Sequence, residues 1–169
     1  MRIYTPITKA LFYKPGEKPV SVALPHTWNA LDGQDGGSDY YRGDGTYTMV
    51  LPNHTPGKRQ FIEFGAANHR ATVWCNGVEL GTHKGGFSTF RYELTQYLKE
   101  GENQLTVTVN NEFQPIYPQR ADFTFFGGLY REVTFIETEQ AHFELLKDGT
   151  KGLFVTPGPP AAPGLICLR

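Results

Sequence analysis

Apolar and polar residues alternate along much of this chain with a period of two. In the segment 104–109, Leu105, Val107 and Val109 share one face and polar residues occupy the other. This period is that of a β-strand with one buried face. Similar alternation marks four further segments: Val20 to Leu24, Tyr47 to Leu51, Ala71 to Cys75 and Leu129 to Ile136. The pattern predicts short strands that each contribute one face to a core.

Turn-forming residues separate these segments. Asn76-Gly77 follows Thr72 to Cys75 and precedes Val78 to Leu80, and both central residues of a type I′ turn need positive φ, so we expect a hairpin there. The best helical candidate, Tyr92 to Lys99, covers only about two turns. Roughly eight or nine short strands with few or no helices predict an all-β fold, a sandwich or jelly roll rather than a βαβ fold.

Composition and charge narrow the function classes. The chain has 169 residues, with 16 Lys and Arg against 17 Asp and Glu. This balance argues against a nucleic-acid partner, which needs clustered cations. Apolar runs such as 165–168 are far shorter than the roughly 20 residues that span a bilayer. Residues 1–6 lack the apolar segment of a secretory signal, which favours a cytoplasmic location over a secreted one and leaves the compartment open.

Several kinds of site are missing from the sequence or weakly supported. The histidines are scattered without a short-range metal pair: His26, His54, His69, His83 and His142. Cys75 and Cys167 cannot form a four-ligand zinc site by themselves, and we interpret Cys75 as a buried apolar thiol. Asn111-Glu112 is a pair that often carries the acid/base residue of retaining glycosidases, but its position directly after a strand favours a strand-end turn.

Aromatic residues make up 14% of the chain, and flat rings can stack on the apolar faces of sugars. The candidates are Trp28, Tyr40, Tyr41, Trp74, Phe123, Phe125, Phe126 and Tyr130. Most are expected in the core of a β-sandwich, and Trp74 is expected in core or interface packing. The segment 122–128 differs, because it places Asp122 beside an aromatic cluster and a Gly pair that allows a sharp turn. This segment is a candidate ligand loop.

Taken together, these motifs resemble a known family. They are Leu24-Pro25-His26-Thr27-Trp28-Asn29, Asp32 to Gly37 with Tyr40-Tyr41-Arg42-Gly43, Val73-Trp74-Cys75-Asn76-Gly77, Gly81 to Phe87, Gly101 to Leu105, and Asp122 to Val133. In this order they resemble the N-terminal sugar-binding domain of glycoside hydrolase family 2, the β-galactosidase, β-glucuronidase and β-mannosidase family, and are most similar to its β-galactosidase branch. The resemblance covers roughly residues 18–145. It implies a jelly-roll β-sandwich of the galactose-binding-domain-like type.

The resemblance also implies domain boundaries and partners. We expect the jelly roll over residues 1–146 and the truncated start of a following domain over 147–169, with a frayed Pro/Gly-rich tail from Pro157 to Gly164. In the family, the catalytic glutamates belong to a later (β/α)₈ barrel of about 250 residues that follows an immunoglobulin-like domain. The chain alone is therefore expected to be inactive, as a truncated, frame-shifted or engineered form whose missing partners are those domains.

The resemblance assigns functional weight to Asp122. In the family's β-galactosidases, the matching aspartate reaches into the active-site pocket and contacts the sugar and a sodium ion, so a cofactor Na⁺, or Mg²⁺, is expected only in the full-length enzyme. Asp39 is the nearest candidate for a second polar residue that approaches the sugar. Both would orient a β-galactoside or related sugar rather than transfer protons. Asp122 could instead cap a loop or pair with Arg131, and His26, Arg42 and Arg131 are expected in internal hydrogen bonds or domain-interface pairs.

Two alternative functions stay open at the level of sequence. The same fold occurs in autonomous carbohydrate-binding modules, and the chain could also be a purely structural interaction domain. Loss of partner domains is expected to expose an apolar face, which predicts a homo-oligomer in solution.

Overall fold

The structure is a computed structural model that describes residues 1–32, 40–112, 124–157 and 166–168. For residues 155–157 and 166–168, the description covers backbone pairing only.

The described residues form an all-β fold of twelve strands in three sheets. The strands are β1 Ile3–Ile7, β2 Lys9–Tyr13, β3 Val20–Ala23, β4 Asp44–Leu51, β5 Arg59–Phe64, β6 Arg70–Cys75, β7 Val78–Lys84, β8 Phe90–Glu93, β9 Asn103–Asn110, β10 Val133–Thr138, β11 Val155–Pro157 and β12 Ile166–Leu168. A four-stranded sheet has the order β1-β10-β5-β8, and a six-stranded sheet has the order β3-β2-β4-β9-β6-β7. Every pairing in these sheets is antiparallel. The two sheets pack as a sandwich, which confirms the predicted fold class.

The core lies between the two sheets. The six-stranded sheet contributes Tyr47, Met49, Leu51, Ala71, Val73, Cys75, Leu105, Val107 and Val109, and the four-stranded sheet contributes Ile62, Phe64, Phe90, Val133 and Phe135. The period-two pattern assigned these positions to the buried face, except Ile62, Phe64 and Phe90, whose strands it did not predict; Val20, which it also assigned, is 54% exposed. Burial removes about 25 cal/mol of unfavourable hydration for each Å² of apolar surface, so these side chains are the main stabilising element.

The predicted Asn76-Gly77 hairpin is confirmed. Asn76 and Gly77 have φ values of 50° and 83° between β6 and β7. A β-bulge between Val73 and Trp74 shifts the register of this pair. The expectation of few or no helices is confirmed among the described residues, and the best helical candidate, Tyr92 to Lys99, begins in β8, which pairs with β5. The cause is tertiary, because Phe90 and Tyr92 alternate toward the core, and this overrides a weak local propensity. In the described parts of the chain, no helix has the length and apolar character to span a membrane.

The chain leaves the sandwich across the outer face of the four-stranded sheet. Leu145 packs on Phe61 and Ile136 there and forms a second, smaller core. Further on, β11 pairs with β12 in a separate two-stranded sheet. Pro157, where a frayed tail was expected to begin, therefore belongs to a strand, which a proline can join where no ladder hydrogen bond is required from its nitrogen. The rest of that expected tail, residues 158–164, lies outside the described residues.

Candidate functional site

The two sequence-predicted site residues lie outside the described residues. Asp39 belongs to the segment 33–39 and Asp122 to the segment 113–123. The described residues on either side of these segments meet at one end of the sandwich. These flanking residues are the points at which the segments 33–39 and 113–123 join the sandwich.

Asn29 connects three of these attachment points. Its side chain is fully buried, and its Oδ1 accepts hydrogen bonds from the Gly127 backbone N–H at 2.8 Å and from Asn111 Nδ2 at 3.3 Å. Its Nδ2 donates to Asp32 Oδ2 at 2.5 Å and to the Tyr41 carbonyl at 3.4 Å. A single amide thus contacts residues before and after 33–39 and residues on both sides of 113–123.

Asn111 completes the connection. Its Nδ2 also donates to the Tyr41 carbonyl at 2.9 Å, and its Oδ1 accepts the Gly43 N–H at 3.0 Å. Its backbone N–H donates to the Gly43 carbonyl at 3.2 Å, and its own carbonyl accepts Arg42 Nη1 at 3.2 Å. Asn111 is 1% exposed, and a buried amide with its hydrogen-bonding groups satisfied specifies one arrangement of the chains around it.

Asn68 and Asn110 hold the neighbouring backbone. Asn68 exchanges backbone hydrogen bonds with Gly128 at 3.1 Å in each direction, and its Nδ2 donates to the Phe126 carbonyl at 3.0 Å. Asn110 Nδ2 donates to Asp44 Oδ1 at 2.7 Å, and its Oδ1 accepts the Glu112 N–H at 3.0 Å. We call Asn29, Asn68, Asn110 and Asn111 the asparagine cluster.

An aromatic layer supports the cluster from the core side. Trp28 stacks on Phe12 with ring centroids 5.7 Å apart and meets Tyr41 edge to face at 6.2 Å. A Cβ added at Gly127 would lie 2.6 Å from Trp28 Cζ2 and 2.7 Å from Asn29 Oδ1. Glycine at this position therefore permits the close approach of the chain to Trp28. Trp28 acts as packing beneath the loops, the core role expected for most of the aromatic candidates.

His26 belongs to the same layer. Its Nδ1 lies 2.9 Å from the Tyr47 hydroxyl, and burial lowers the pKa of the imidazole below its ordinary value of 6.5. Burial also raises the pKa of Tyr47. The pair is therefore neutral and serves packing. The internal hydrogen bonds expected for His26, Arg42 and Arg131 are all present, since Arg131 Nη1 donates to the Phe87 carbonyl at 3.1 Å.

The other candidate residues from the sequence either lie away from the asparagine cluster or have a role in packing and turns. Trp74 lies on the outward face of β6, half-buried, while its neighbours Val73 and Cys75 point inward. Burial raises the pKa of Cys75 to about 11, which agrees with an inert thiol. Glu112 follows β9 in a bend, as expected for a strand-end turn. In the described parts of the chain, no three His, Cys, Asp or Glu side chains gather as a metal site.

Comparison with known proteins identifies the class of domain. A family model described as the sugar-binding domain of glycosyl hydrolases family 2 matches residues 17–139. The chain is 38% identical to a β-glucuronidase of Bacteroides fragilis over 138 residues, which are 79% of this chain and 20% of the relative. The chain therefore belongs to glycoside hydrolase family 2 and comprises its N-terminal sugar-binding domain.

Solved structures agree with this assignment. The crystal structure of an FMN-binding β-glucuronidase from Facaelibacterium prausnitzii superposes with a TM-score of 0.82 and 43% identity, covering 95% of this chain and 26% of that one. A putative β-galactosidase from Bacteroides fragilis gives a TM-score of 0.84 at 33% identity, covering 92% and 26%. This chain thus spans about a fifth to a quarter of the relatives it matches. Their names include both β-glucuronidase and β-galactosidase, so the expected β-galactosidase type is one of several specificities.

Sequence reasoning missed the asparagine cluster. The sequence singles out Asn29 only within a longer motif and Asn111 only in the pair Asn111-Glu112, and it does not single out Asn68 or Asn110. A usable signal existed for Asn110 and Asn111, because a buried strand that ends in two amides must satisfy their polar atoms. No local signal links Asn29 to Gly127, which lies 98 positions away.

Proposed function

We propose that this domain forms one wall of the sugar-binding site of a longer family 2 glycoside hydrolase, and that Asp122 and Asp39 reach the substrate from it. The supporting observation is the set of hydrogen bonds made by Asn29 and Asn111, which join the described ends of the two segments that carry these aspartates. Side chains on two segments whose ends are joined can act on one ligand.

The proposed role is substrate orientation. Carboxylates accept strong hydrogen bonds from sugar hydroxyls, and holding the sugar fixes the scissile bond relative to catalytic groups that another domain supplies. Anchored loop ends reduce the conformational entropy that the loops lose when a ligand binds. The substrate we propose is a β-linked hexoside, with a β-galactoside first and a β-glucuronide as the competing specificity.

We also propose that Asp122 contributes to a sodium site beside the sugar, with Mg²⁺ as the competing ion. Hard cations take oxygen ligands such as carboxylates and carbonyls. The remaining ligands would lie outside the described residues, and the orienting role does not depend on them. Activity that rises when NaCl replaces KCl at equal ionic strength in wild type, and not in Asp122→Asn, would support this site.

The test of the orienting role uses Asp122→Asn and Asp39→Asn in the longer enzyme, assayed with 4-nitrophenyl β-galactoside and 4-nitrophenyl β-glucuronide. We expect kcat/KM on the preferred substrate to fall by about tenfold to a hundredfold, with an unchanged thermal midpoint. Asp148→Asn is the matched control, since Asp148 is exposed and its φ of 51° suits asparagine. Wild-type kcat/KM in both site variants would make the two aspartates scaffold and overturn the proposal.

An autonomous carbohydrate-binding module is the second candidate, favoured because the ends of both aspartate-bearing segments are joined within this one chain. Calorimetric titration of this chain with methyl β-galactoside separates the two. The wall proposal predicts no Asp122-dependent binding at millimolar concentration, because the rest of the pocket would belong to other domains. Millimolar or tighter binding that Asp122→Asn abolishes would favour the module.

A further inference from the structure

The outer face of the six-stranded sheet carries ordered rows of threonines. One row crosses the strands as Tyr13, Thr46, Thr108, Thr72 and Thr82, and the next row crosses them as Leu11, Thr48, Thr106, Trp74 and Glu79. We call these two rows the threonine face. In the first row, the hydroxyls pair with one another, Thr46 with Thr108 at 3.0 Å and Thr72 with Thr82 at 2.9 Å.

The second row has polar groups that face solvent without protein partners. Among the described residues, no hydrogen bond is made by the Trp74 indole N–H or by the hydroxyls of Thr48 and Thr106. The three side chains are consecutive in register, since Thr48 is opposite Thr106 and Thr106 is opposite Trp74. Trp74 also makes no ring contact with another described residue. An aromatic ring and adjacent unpaired hydroxyls are the two features that sugar recognition uses.

A groove continues this row beyond Thr48. It has a volume of about 570 Å³ and lies between the turn from β1 to β2 and the strands β4 and β9. Its apolar lining includes Leu11 and Val50, which are 49% and 62% exposed. Its polar lining includes Thr48, Ser21 and Gln104. Neighbouring strands are about 4.8 Å apart, so the distance from Thr48 to Trp74 is about 10 Å, which exceeds the width of a single sugar ring.

The distribution of charged side chains around the threonine face indicates which kind of ligand it can bind. Within the threonine face, the ionised side chain is Glu79, and it lies on the edge strand β7. Asp44, Arg70 and Lys84 lie at one end of the sheet, while Lys9 and Glu102 line the far part of the groove. A neutral chain of hydroxyls matches this uncharged centre, whereas a polyanion such as a uronate polymer would gain no ion pair there.

We propose that the threonine face and its groove bind a neutral oligosaccharide, with one sugar ring stacked on Trp74 and hydroxyls bonded to Thr48, Thr106 and Gln104. This site lies apart from the described ends of the segments that carry Asp39 and Asp122. Asp44 marks the loop end of β4, and Thr48 lies four residues along the strand, or about 13 Å away. Such a site would hold a polymeric substrate near the enzyme without contacting the reacting bond.

The test exploits the fact that the chain has two tryptophans. Titration of the ¹⁵N-labelled chain with β-1,4-galactotetraose is followed through the two indole N–H signals in NMR spectra, assigned with Trp74→Phe. We expect the Trp74 signal to shift in a saturable manner at millimolar sugar, while the signal of Trp28 serves as an internal control for folding. Trp74→Ala and Thr106→Val should weaken binding by about tenfold or more. Thr134→Val, which changes an outward threonine on the other sheet, should leave binding unchanged.

Three results would overturn the proposal. The first is the absence of a Trp74 shift up to about 10 mM sugar, and the second is equal sugar affinity in Trp74→Ala and Thr134→Val. The third is a Trp74 signal that moves with protein concentration alone, which would make this face a contact between copies of the chain. Asp122→Asn is expected to leave galactotetraose binding unchanged, and Trp74→Ala is expected to leave kcat/KM on the small nitrophenyl glycosides unchanged. The two proposals therefore fail independently.

Discussion

The backbone N–H of Gly127 donates a 2.8 Å hydrogen bond to the side-chain Oδ1 of Asn29, across 98 positions of sequence. The bond is buried, and the same oxygen accepts Asn111 Nδ2. One amide oxygen thereby fixes the exit of the 113–123 segment relative to the start of the 33–39 segment. This is the relationship on which the proposed sugar wall depends.

Asn29→Ala is expected to lower the free energy of unfolding by about 2–4 kcal/mol. The substitution leaves the buried Gly127 N–H without its partner and removes one of the two hydrogen bonds that Asn111 Nδ2 donates, and each unsatisfied buried group costs about 1–3 kcal/mol. Chemical denaturation measures the change. Asn53→Ala is the control, because Asn53 is exposed in the loop after β4 and its loss should alter stability by at most about 0.5 kcal/mol. Equal effects in the two variants would contradict a structural role for Asn29.

The strands were predictable and the asparagine cluster was not, for a physical reason. The faces of β4, β6 and β9 follow from a local rule, because side chains alternate across a strand whatever the rest of the chain does. The Asn76-Gly77 turn is equally local. The pairing of Asn29 with Gly127 depends on which strands become neighbours, and β4 lies beside β9 only in the assembled sheet. The segment 92–99 shows the same limit of local sequence patterns. Its first residues form a strand because they pair with β5, which is about 30 positions earlier in the chain.

Asn76 is expected to contribute both turn geometry and hydrogen bonds. Its Nδ2 donates to the Tyr97 carbonyl at 2.8 Å and to Asn103 Oδ1 at 2.7 Å, and its Oδ1 accepts the Gln104 N–H at 3.0 Å. Asn76→Gly keeps the positive φ and loses these bonds, so it should destabilise the fold by about 1–3 kcal/mol. Asn76→Ala also adds the strain of a left-handed alanine, about 1 kcal/mol more. Equal stabilities of the two variants would show that the backbone conformation contributes nothing.

Arg91 is expected to hold the exit segment against the four-stranded sheet. Its Nη1 donates to the carbonyls of Leu145 and Thr150 at 2.8 and 2.6 Å, while its Nε pairs with Glu63 at 2.5 Å. Lysine cannot reproduce this fork of donors. Arg91→Lys should therefore increase amide hydrogen exchange across residues 145–152, and Arg70→Lys, on the other sheet, should not. Unchanged exchange in Arg91→Lys would mean that the apolar contact of Leu145 alone holds the segment.

Cys75 is expected to be unreactive while the chain is folded. It is fully buried, and its pKa of about 11 leaves roughly one thousandth of the thiol ionised at pH 8. In a Cys167→Ser variant, the thiol reagent DTNB should modify no cysteine under native conditions and one cysteine after unfolding in guanidinium. Rapid modification of the folded variant would show that β6 opens readily.

The stability of the fold is expected to fall as the pH decreases from 7 to 5. Burial lowers the pKa of His26, His69 and His83 below 6.5 in the folded chain, with Arg70 adding to the effect at His69. The unfolded chain therefore takes up protons as the pH falls through about 6.5 while the folded chain does not, and this favours unfolding. The full contribution is present above the unfolded pKa and is lost progressively below it.

Replacing one of these histidines should flatten that dependence. His26→Gln removes a single titrating group, so the slope of unfolding free energy against pH should decrease by at most about 1.4 kcal/mol per pH unit. Glu93→Gln is the control that shows in which pH range a carboxylate, rather than a histidine, changes the slope of stability against pH. The hydrogen bond from Arg59 lowers the pKa of Glu93 below 4.5, so its contribution is complete above about pH 4.5 and is lost as the pH falls further. Its replacement should therefore lower stability by a constant amount above about pH 4.5 and change the slope of stability against pH only below that value. A wild-type slope between pH 7 and 5 in His26→Gln would mean that this imidazole is protonated equally in both states, contrary to its burial beside Tyr47.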